Sequence, residues 1–328
     1  MIWIDDQAVA SILDSAAAIK VVDLVEAGLA EVAAGTLVEA PVTRLDAKEH
    51  AANYTVFPAY SRERSLATVK VLSGVERNPE YGVPMIDAVI VVMDAKTGIM
   101  RAVMDARRTT ALRTAAATAI ALRRLLPDSA KSLGIIGTGI QGWAHAQIIS
   151  AILPDLHLSV ASASGNADRA RNLASKASLD LGRPIASSTC DEIESTADAI
   201  VVASLANAPL IGEACKPDAV IASVGHFLPG ATEIDPRLVA NAARIVSDLP
   251  ERFRRHWQAH GSILGDALER LTSLEDLVAS QPTPSGSGRS VFLSDGRSFE
   301  DCVVAGYVLQ QAELRGIGTR LRDAPFSG

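Results

Sequence analysis

The run Leu133-Gly134-Ile135-Ile136-Gly137-Thr138-Gly139-Ile140-Gln141-Gly142 constrains this chain more than any other stretch. It joins an apolar strand to a helical segment, 143–153, through glycines spaced G-x-G-x-x-G at Gly137, Gly139 and Gly142. The first such glycine permits a tight turn and the second lets the backbone approach a pyrophosphate. The third lets helix pack on strand, and the helix N–H groups face the anion. Glycines alone would equally make a plain structural turn. The context decides for dinucleotide binding, with Thr138, Ile140 and Gln141 completing the loop. Residues 133–136, 156–161, 185–187, 199–203, 219–224 and 245–247 are short apolar runs separated by helical or polar stretches. That alternation is the signature of an α/β fold with a doubly wound parallel sheet.

A cofactor lacking a 2′-phosphate usually meets an acid about 20 residues further on, at the end of the second strand. Here Val160-Ala161-Ser162-Ala163-Ser164-Gly165-Asn166 offers no acid before Asp168. Ser162, Ser164, Asn166 and Arg169 can instead donate to a phosphate, which favours NADP over NAD. The bland alternative is that they cap a helix and that Arg169 is solvated.

Charge and composition exclude several function classes. Lys+Arg 31 against Asp+Glu 38 gives a net charge of −7, so no diffuse basic field exists to hold nucleic acid or an anionic membrane. Aromatics at 4% also argue against stacking platforms for single strands. Three cysteines, Cys190, Cys215 and Cys302, show no CxxC spacing and read as core thiols, with no metal site indicated. The early acids Asp5 and Asp6 replace the basic region of a signal peptide, so a cytoplasmic location is expected. The longest uncharged run, 132–154, contains the glycine loop and reads as strand, loop and helix rather than a membrane span.

Upstream the texture differs. One amphipathic helix is expected from Ser15 to a stop at Gly35. Strands are expected over 37–45, 53–57 and 66–73, followed by a hairpin of 86–94 and 99–104 joined through Ala95-Lys96-Thr97-Gly98. An Ala-rich helix then begins at Thr109 or Thr110 and runs to Leu126 before Pro127. A final helix over 299–314 could pack back on this first region. The expected division is 1–120 with 300–328, and 121–299 between them.

Three cations stand against local preference. Lys70 lies inside the otherwise uncharged Leu66-Ala67-Thr68-Val69-Lys70-Val71-Leu72, where an isolated ammonium is costly to bury. Arg44 closes another strand, and Arg113 falls in the first turn of the Ala-rich helix, opposed by the helix dipole. Each is a candidate site residue, with an internal salt bridge or an edge position as the alternative.

Taken together, these residues resemble the ornithine cyclodeaminase/mu-crystallin family of nicotinamide-dependent enzymes. The resemblance spans nearly the whole chain. It rests on Phe57-Pro58-Ala59-Tyr60-Ser61, Thr68-Val69-Lys70, Arg113-Thr114-Ala115-Ala116 upstream of the glycine loop, Val224-Gly225 through Glu233, and Phe299-Glu300-Asp301. It implies a homodimer with a central Rossmann domain and a mixed α/β domain, completed by the last helix, for substrate binding and dimerisation. It also implies that Arg44, Lys70 and Arg113 hold the carboxylate of an amino or imino acid beside the nicotinamide. Thr114, Ser204, Val224 and Ser294 would line the cofactor.

The departures narrow the activity. Cyclodeaminases of this family carry an aspartate two residues after the glycine matching Gly225, and this chain has Phe227 preceded by His226. They carry a glutamate base three residues before the proline matching Pro58, where Thr55 stands. Oxidation and ring closure of ornithine both need a base. The expectation is therefore NAD(P)H-dependent reduction of an α-imino acid to an L-amino acid, or the reverse dehydrogenation. Lys70 would be the proton donor, with its pKa lowered by neighbouring cations, and His226 the reserve candidate. Ornithine cyclodeamination and a non-catalytic NADP(H) and carboxylate binding protein are the alternatives.

Overall fold

A computed structural model of the protein describes residues 1–225, 232–257, 261–280 and 288–321. The chain opens with β1 (Ile2–Ile4), α1 (Asp6–Ile12), α2 (Ala18–Ala33), β2 (Leu37–Glu39) and β3 (Thr43–Ala47). It continues through β4 (Ala52–Ser61), β5 (Leu66–Val75), β6 (Ile86–Asp94), β7 (Met100–Asp105) and α3 (Arg107–Leu125). Two compact units result, Met1–Arg113 with the chain from Arg297 onward, and Thr114–Gly296. Both breaks fall earlier than the expected 120 and 300.

The second unit holds β8 (Ser132–Ile136), α4 (Ile140–Ile152), β9 (His157–Ala161), α5 (Ala167–Leu181), β10 (Ile185–Ser187) and α6 (Cys190–Thr196). After them come β11 (Ala199–Val202), β12 (Val220–Ser223), α7 (Pro236–Ala240), β13 (Arg244–Ser247) and α8 (Pro250–Trp257). The unit closes with α9 (Gly261–Leu264), β14 (Leu271–Ser273), α10 (Leu274–Ala279) and β15 (Ser290–Leu293). The first unit is then completed by α11 (Ser298–Arg315) and β16 (Thr319–Arg320).

The first unit is a mixed sheet ordered β16-β1-β7-β6-β5-β4-β2, with β3 on β4. Among the described residues of this sheet, only β1 and β7 pair in parallel. Alternation along β5 sends Leu66, Thr68 and Lys70 to the face that α11 covers. Helix α2 lies close on α11 because Gly28 has no side chain. A Cβ there would stand 2.9 Å from Phe299 Cδ2.

The other face of this sheet is apolar and open. Val56, Val71 and Val89 stand in one cross-strand row, and Pro58, Val69, Val91 and Val103 in the next. Val71 is 42% exposed.

Three local readings are corrected here. The single strand expected over 37–45 is two, because Pro41 supplies no N–H to a ladder and the chain breaks around it. The helix expected from Ser15 starts at Ala18, preceded by a single tight turn that the Asp14 carboxylate caps. Helix α3 begins at Arg107, whose N–H donates to Asp105 Oδ1 at 3.0 Å. Arg113 therefore lies in the second turn, and the dipole argument for it does not hold.

The second unit's sheet is wholly parallel, ordered β10-β9-β8-β11-β12-β15-β13-β14. Its order reverses between β8 and β11, so the fold is the doubly wound Rossmann type with a switch point at that pair. Ligands of such sheets bind beyond the carboxyl ends of the strands. At that edge lie Gly137 after β8, Ser162 after β9, Ser204 after β11, Val224 after β12 and Ser294 after β15. Among the described residues no helix is long and apolar enough to cross a membrane.

Candidate active site

The glycine loop has the geometry its spacing calls for. Gly137 adopts φ +144°, and a Cβ there would stand 2.2 Å from the Ala203 carbonyl oxygen. At Gly142 a Cβ would meet the Gly137 carbonyl oxygen at 2.0 Å, which is the close approach of α4 to the turn. Gly139 has open space around it and caps α4, whose first residue, Ile140, is 49% exposed. The buried Gln141 Oε1 has no hydrogen-bond partner among the described residues. A bare, open helix N-terminus fits the pyrophosphate of a dinucleotide.

The other edge residues are partly committed to internal bonds. Ser162 and Ser164 join hydroxyl to hydroxyl at 3.1 Å. Asn166 caps α5 by accepting the Arg169 N–H at 3.1 Å, while the Arg169 side chain is exposed. The helix-cap alternative thus describes Asn166. Val224 is buried and donates its N–H to Val202.

Buried carboxylates that sequence reasoning did not select hold the two edge serines. Ser204 donates N–H and O–H to Glu233 Oε2 at 3.0 and 2.8 Å. Ser294 donates its hydroxyl to Asp248 Oδ2 at 2.7 Å. Burial pushes the Glu233 carboxyl up to about 7 despite the hydrogen bonds that oppose the shift.

Thr114 opens the second unit's share of α3, and its carbonyl accepts from Thr118 Oγ1 at 3.1 Å. The same hydroxyl lies 3.1 Å from His145 Nε2, and His145 Nδ1 lies 2.7 Å from the Gln141 carbonyl oxygen. A carbonyl only accepts, so Nδ1 carries the proton. Burial lowers the His145 pKa to about 4. This neutral imidazole links two segments proposed to touch the cofactor.

In the first unit Lys70 and Arg113 meet. Lys70 Nζ is 2.7 Å from Asp301 Oδ2 and 4.2 Å above the Phe57 ring. Arg113 Nε donates to Asp301 Oδ1 at 3.2 Å and its Nη1 to Glu300 Oε2 at 2.7 Å. All four charged side chains are at most 4% exposed. Two cations and two carboxylates thus share the buried sheet face under the start of α11. Burial first, and Arg113 second, lower the Lys70 pKa to about 8, with Asp301 opposing them. Like-charge crowding, expected to be the cause, is the smaller effect.

Arg44 does not join this cluster. Its Nε pairs with Asp46 at 2.7 Å, both side chains being partly exposed. It sits opposite Thr55, which sits opposite Leu72, so Arg44 shares a sheet face with Lys70. His226 lies outside the described residues, as do 227–231 of the resemblance.

Glu300 and Asp301 were legible only as part of the family resemblance. Acids in a helix's first turn are favoured by the dipole, so nothing about them looks anomalous in isolation. The available signal was indirect: two buried cations require carboxylates from somewhere.

A sequence model of a known family matches residues 7–315, nearly the whole chain. The chain belongs to the ornithine cyclodeaminase/mu-crystallin family. Ketimine reductase mu-crystallin of Mus musculus is 29% identical over 255 residues, 77% of this chain and 78% of that one. The Azospirillum brasilense Delta(1)-pyrroline-2-carboxylate/Delta(1)-piperideine-2-carboxylate reductase is 32% identical over 218 residues, covering 63% and 68% respectively. Among solved structures, Delta(1)-pyrroline-2-carboxylate reductase of Thermococcus litoralis, in complex with NADH and L-proline, superposes with a TM-score of 0.89. It is 23% identical and covers 98% of this chain and all of that one. This fold is therefore the family's own.

Proposed function

We propose that the protein is an NAD(P)H-dependent reductase of α-imino acids that yields L-amino acids, or the same enzyme run as an amino-acid dehydrogenase. The observation that carries this reading is the buried Lys70, paired with Asp301 and lowered to a pKa of about 8 by burial and by the charge of Arg113. A lysine so placed can give up and regain a proton near neutrality, which a solvated lysine cannot. The names of the family relatives, ketimine and pyrroline-carboxylate reductases, support the same class.

On this reading Arg113, with Arg44 on the same sheet face, binds the substrate carboxylate. Glu300 and Asp301 neutralise the buried cations, so Arg44, whose Asp46 pair is exposed and weak, is the cation more easily recruited. A dihydronicotinamide, when held by the second unit, would supply the hydride for the imine carbon. Lys70 Nζ gives its proton to the imine nitrogen and is reprotonated from solvent, so C=N becomes CH–NH. His226 is the reserve proton donor. The substrate is a cyclic imine such as pyrroline- or piperideine-2-carboxylate, or an open one such as iminosuccinate. The second unit holds the dinucleotide through Gly137–Gln141, Thr114, Ser204, Val224 and Ser294. NADP is favoured because Ser162, Ser164, Asn166 and Arg169 stand where an acid would hold a free ribose.

The first unit binds substrate and pairs two copies in a homodimer. Its valine-rich face, exposed at Val71, supports this, since contiguous apolar surface commonly marks a protein contact. A cytoplasmic location accords with a soluble small-molecule reductase. Cyclodeamination is disfavoured by Thr55, which is 5% exposed, bonds Asn53 and offers no carboxylate as a base.

The test follows nicotinamide oxidation with a panel of these imines and both cofactors. Turnover of at least one imine is expected. Proline and ammonia from L-ornithine, with no imine reduced, would overturn the reading, and nucleotide binding without any turnover would favour the binding protein.

A further inference from the structure

Glu233 lies between β12 and α7, is 0% exposed, and accepts four hydrogen bonds. Ser204 N–H and O–H reach one oxygen at 3.0 and 2.8 Å. Ser223 O–H and Gly225 N–H reach the other at 2.9 and 2.8 Å. The donors belong to the ends of β11 and β12, which are paired in register from Ala199↔Val220 to Val202↔Ser223. One carboxylate therefore ties together the chain segments that leave β11 and β12 at the sheet's carboxyl edge.

Burying a carboxylate among dipoles is expensive, and a core needs no acid here for packing. What a carboxylate alone supplies is two acceptor oxygens with no donor. A glutamine in its place would turn an NH2 toward one of the two donor pairs. The neighbouring sequence is shaped to the same contact. A Cβ on Gly225 would stand 2.2 Å from Glu233 Oε2 and 2.2 Å from the Ser204 carbonyl oxygen. The Ser204 hydroxyl is also spent: it donates to Glu233 and accepts the Ala206 N–H at 3.2 Å. It has no proton left for a ligand, so any contact it makes to one is as an acceptor.

We propose that Glu233 is a positioning residue for the dinucleotide, fixing the segments at Ser204 and Gly225 in the conformation that receives the cofactor. It acts through those segments rather than by touching the reacting atoms. The inference rests on the cofactor reading above.

The experiment titrates NADH and NADPH into the full-length protein by nicotinamide fluorescence, with thermal melting alongside. Glu233→Gln is expected to weaken binding by about tenfold while melting stays cooperative, the size of one or two lost charge-assisted bonds. Gly225→Ala is expected to weaken binding similarly, and the double variant to be no weaker than the worse single, because both break one contact. Glu233→Asp, which keeps the charge, should recover part of the loss. Binding within about twofold of the parent in Glu233→Gln, whatever the melting temperature, overturns the proposal and leaves Glu233 a core residue. Should Glu233→Gln not fold, Ser223→Ala decides, since it deletes one hydroxyl donor: about threefold weaker binding supports the proposal and unchanged binding overturns it. If the parent binds neither nucleotide, the cofactor reading fails and this inference fails with it.

Discussion

Lys70 Nζ and Asp301 Oδ2 lie 2.7 Å apart with neither side chain more than 1% exposed. A buried pair of this kind is costly to break from one side, because the survivor keeps its charge without its partner. Lys70→Ala is therefore expected to destabilise the protein by roughly 3–5 kcal/mol, measured by urea unfolding. It should also cut imine turnover by at least about 100-fold with nucleotide affinity unchanged. A variant that kept full turnover would remove Lys70 from the chemistry.

The Lys70 pKa of about 8 sets a pH limb. Reduction needs the ammonium form, so kcat for an imine should fall as pH rises through about 8. Dehydrogenation needs the amine, so its rate should rise over the same range. The residual activity of Lys70→Ala should lack both limbs, and a parent profile flat from pH 7 to about 9 would contradict the assignment.

His145 makes the fold acid-sensitive. Its pKa is about 4 folded against 6.5 unfolded, so the unfolded state binds more protons between those values. Its contribution is full above pH 6.5 and lost as pH falls through about 4, with a slope up to about 1.4 kcal/mol per pH unit. Glu233, raised from 4.5 to about 7, acts with opposite sign, its contribution being full below 4.5 and lost as pH rises through 7. The readout is consequently the difference between proteins: His145→Gln should lose less stability than the parent on going from pH 6.5 to 4.

Arg169→Ala tests the choice of cofactor. An exposed guanidinium beside a 2′-phosphate should contribute to NADPH and not to NADH. The expected result is about five- to tenfold weaker NADPH binding with NADH unchanged. Equal loss for both nucleotides would assign Arg169 to general electrostatics.

Val71→Lys, on the open sheet face, should shift the molar mass by light scattering from dimer to monomer without unfolding the chain. Placing an ammonium in a buried apolar contact costs several kcal/mol, enough to dissociate an ordinary dimer at micromolar concentration. An unchanged mass would move the interface elsewhere.

Much of this was legible in residue order, for identifiable reasons. The second unit follows from short apolar runs and one glycine spacing, since parallel strands must be buried on both faces. The first unit was blurred where the signals are short: β1 has three residues, too few for periodicity, and Pro41 splits a continuous apolar-looking run. Lys70 stood out because a charge inside an apolar strand violates local preference, whereas Arg113 was singled out by a dipole argument that its place in the second turn of α3 removes. Their partners, Glu300 and Asp301, did not, because an acid at a helix start obeys it. Glu233 and Asp248 escaped for a third reason: each serves donors from strand ends distant in sequence, and no local pattern marks such a hub.

The carboxylates that neutralise Lys70 and Arg113 sit on α11, more than 180 residues downstream of either cation. A ribosome making this chain therefore delivers strands β1 to β7 of the first unit long before the acids that complete it. The central unit, by contrast, is whole once β15 has emerged. Synthesis order and completion order are inverted, so the polypeptide made first is finished last. Loss of the final helix would leave two cations stranded in the first unit without their carboxylates.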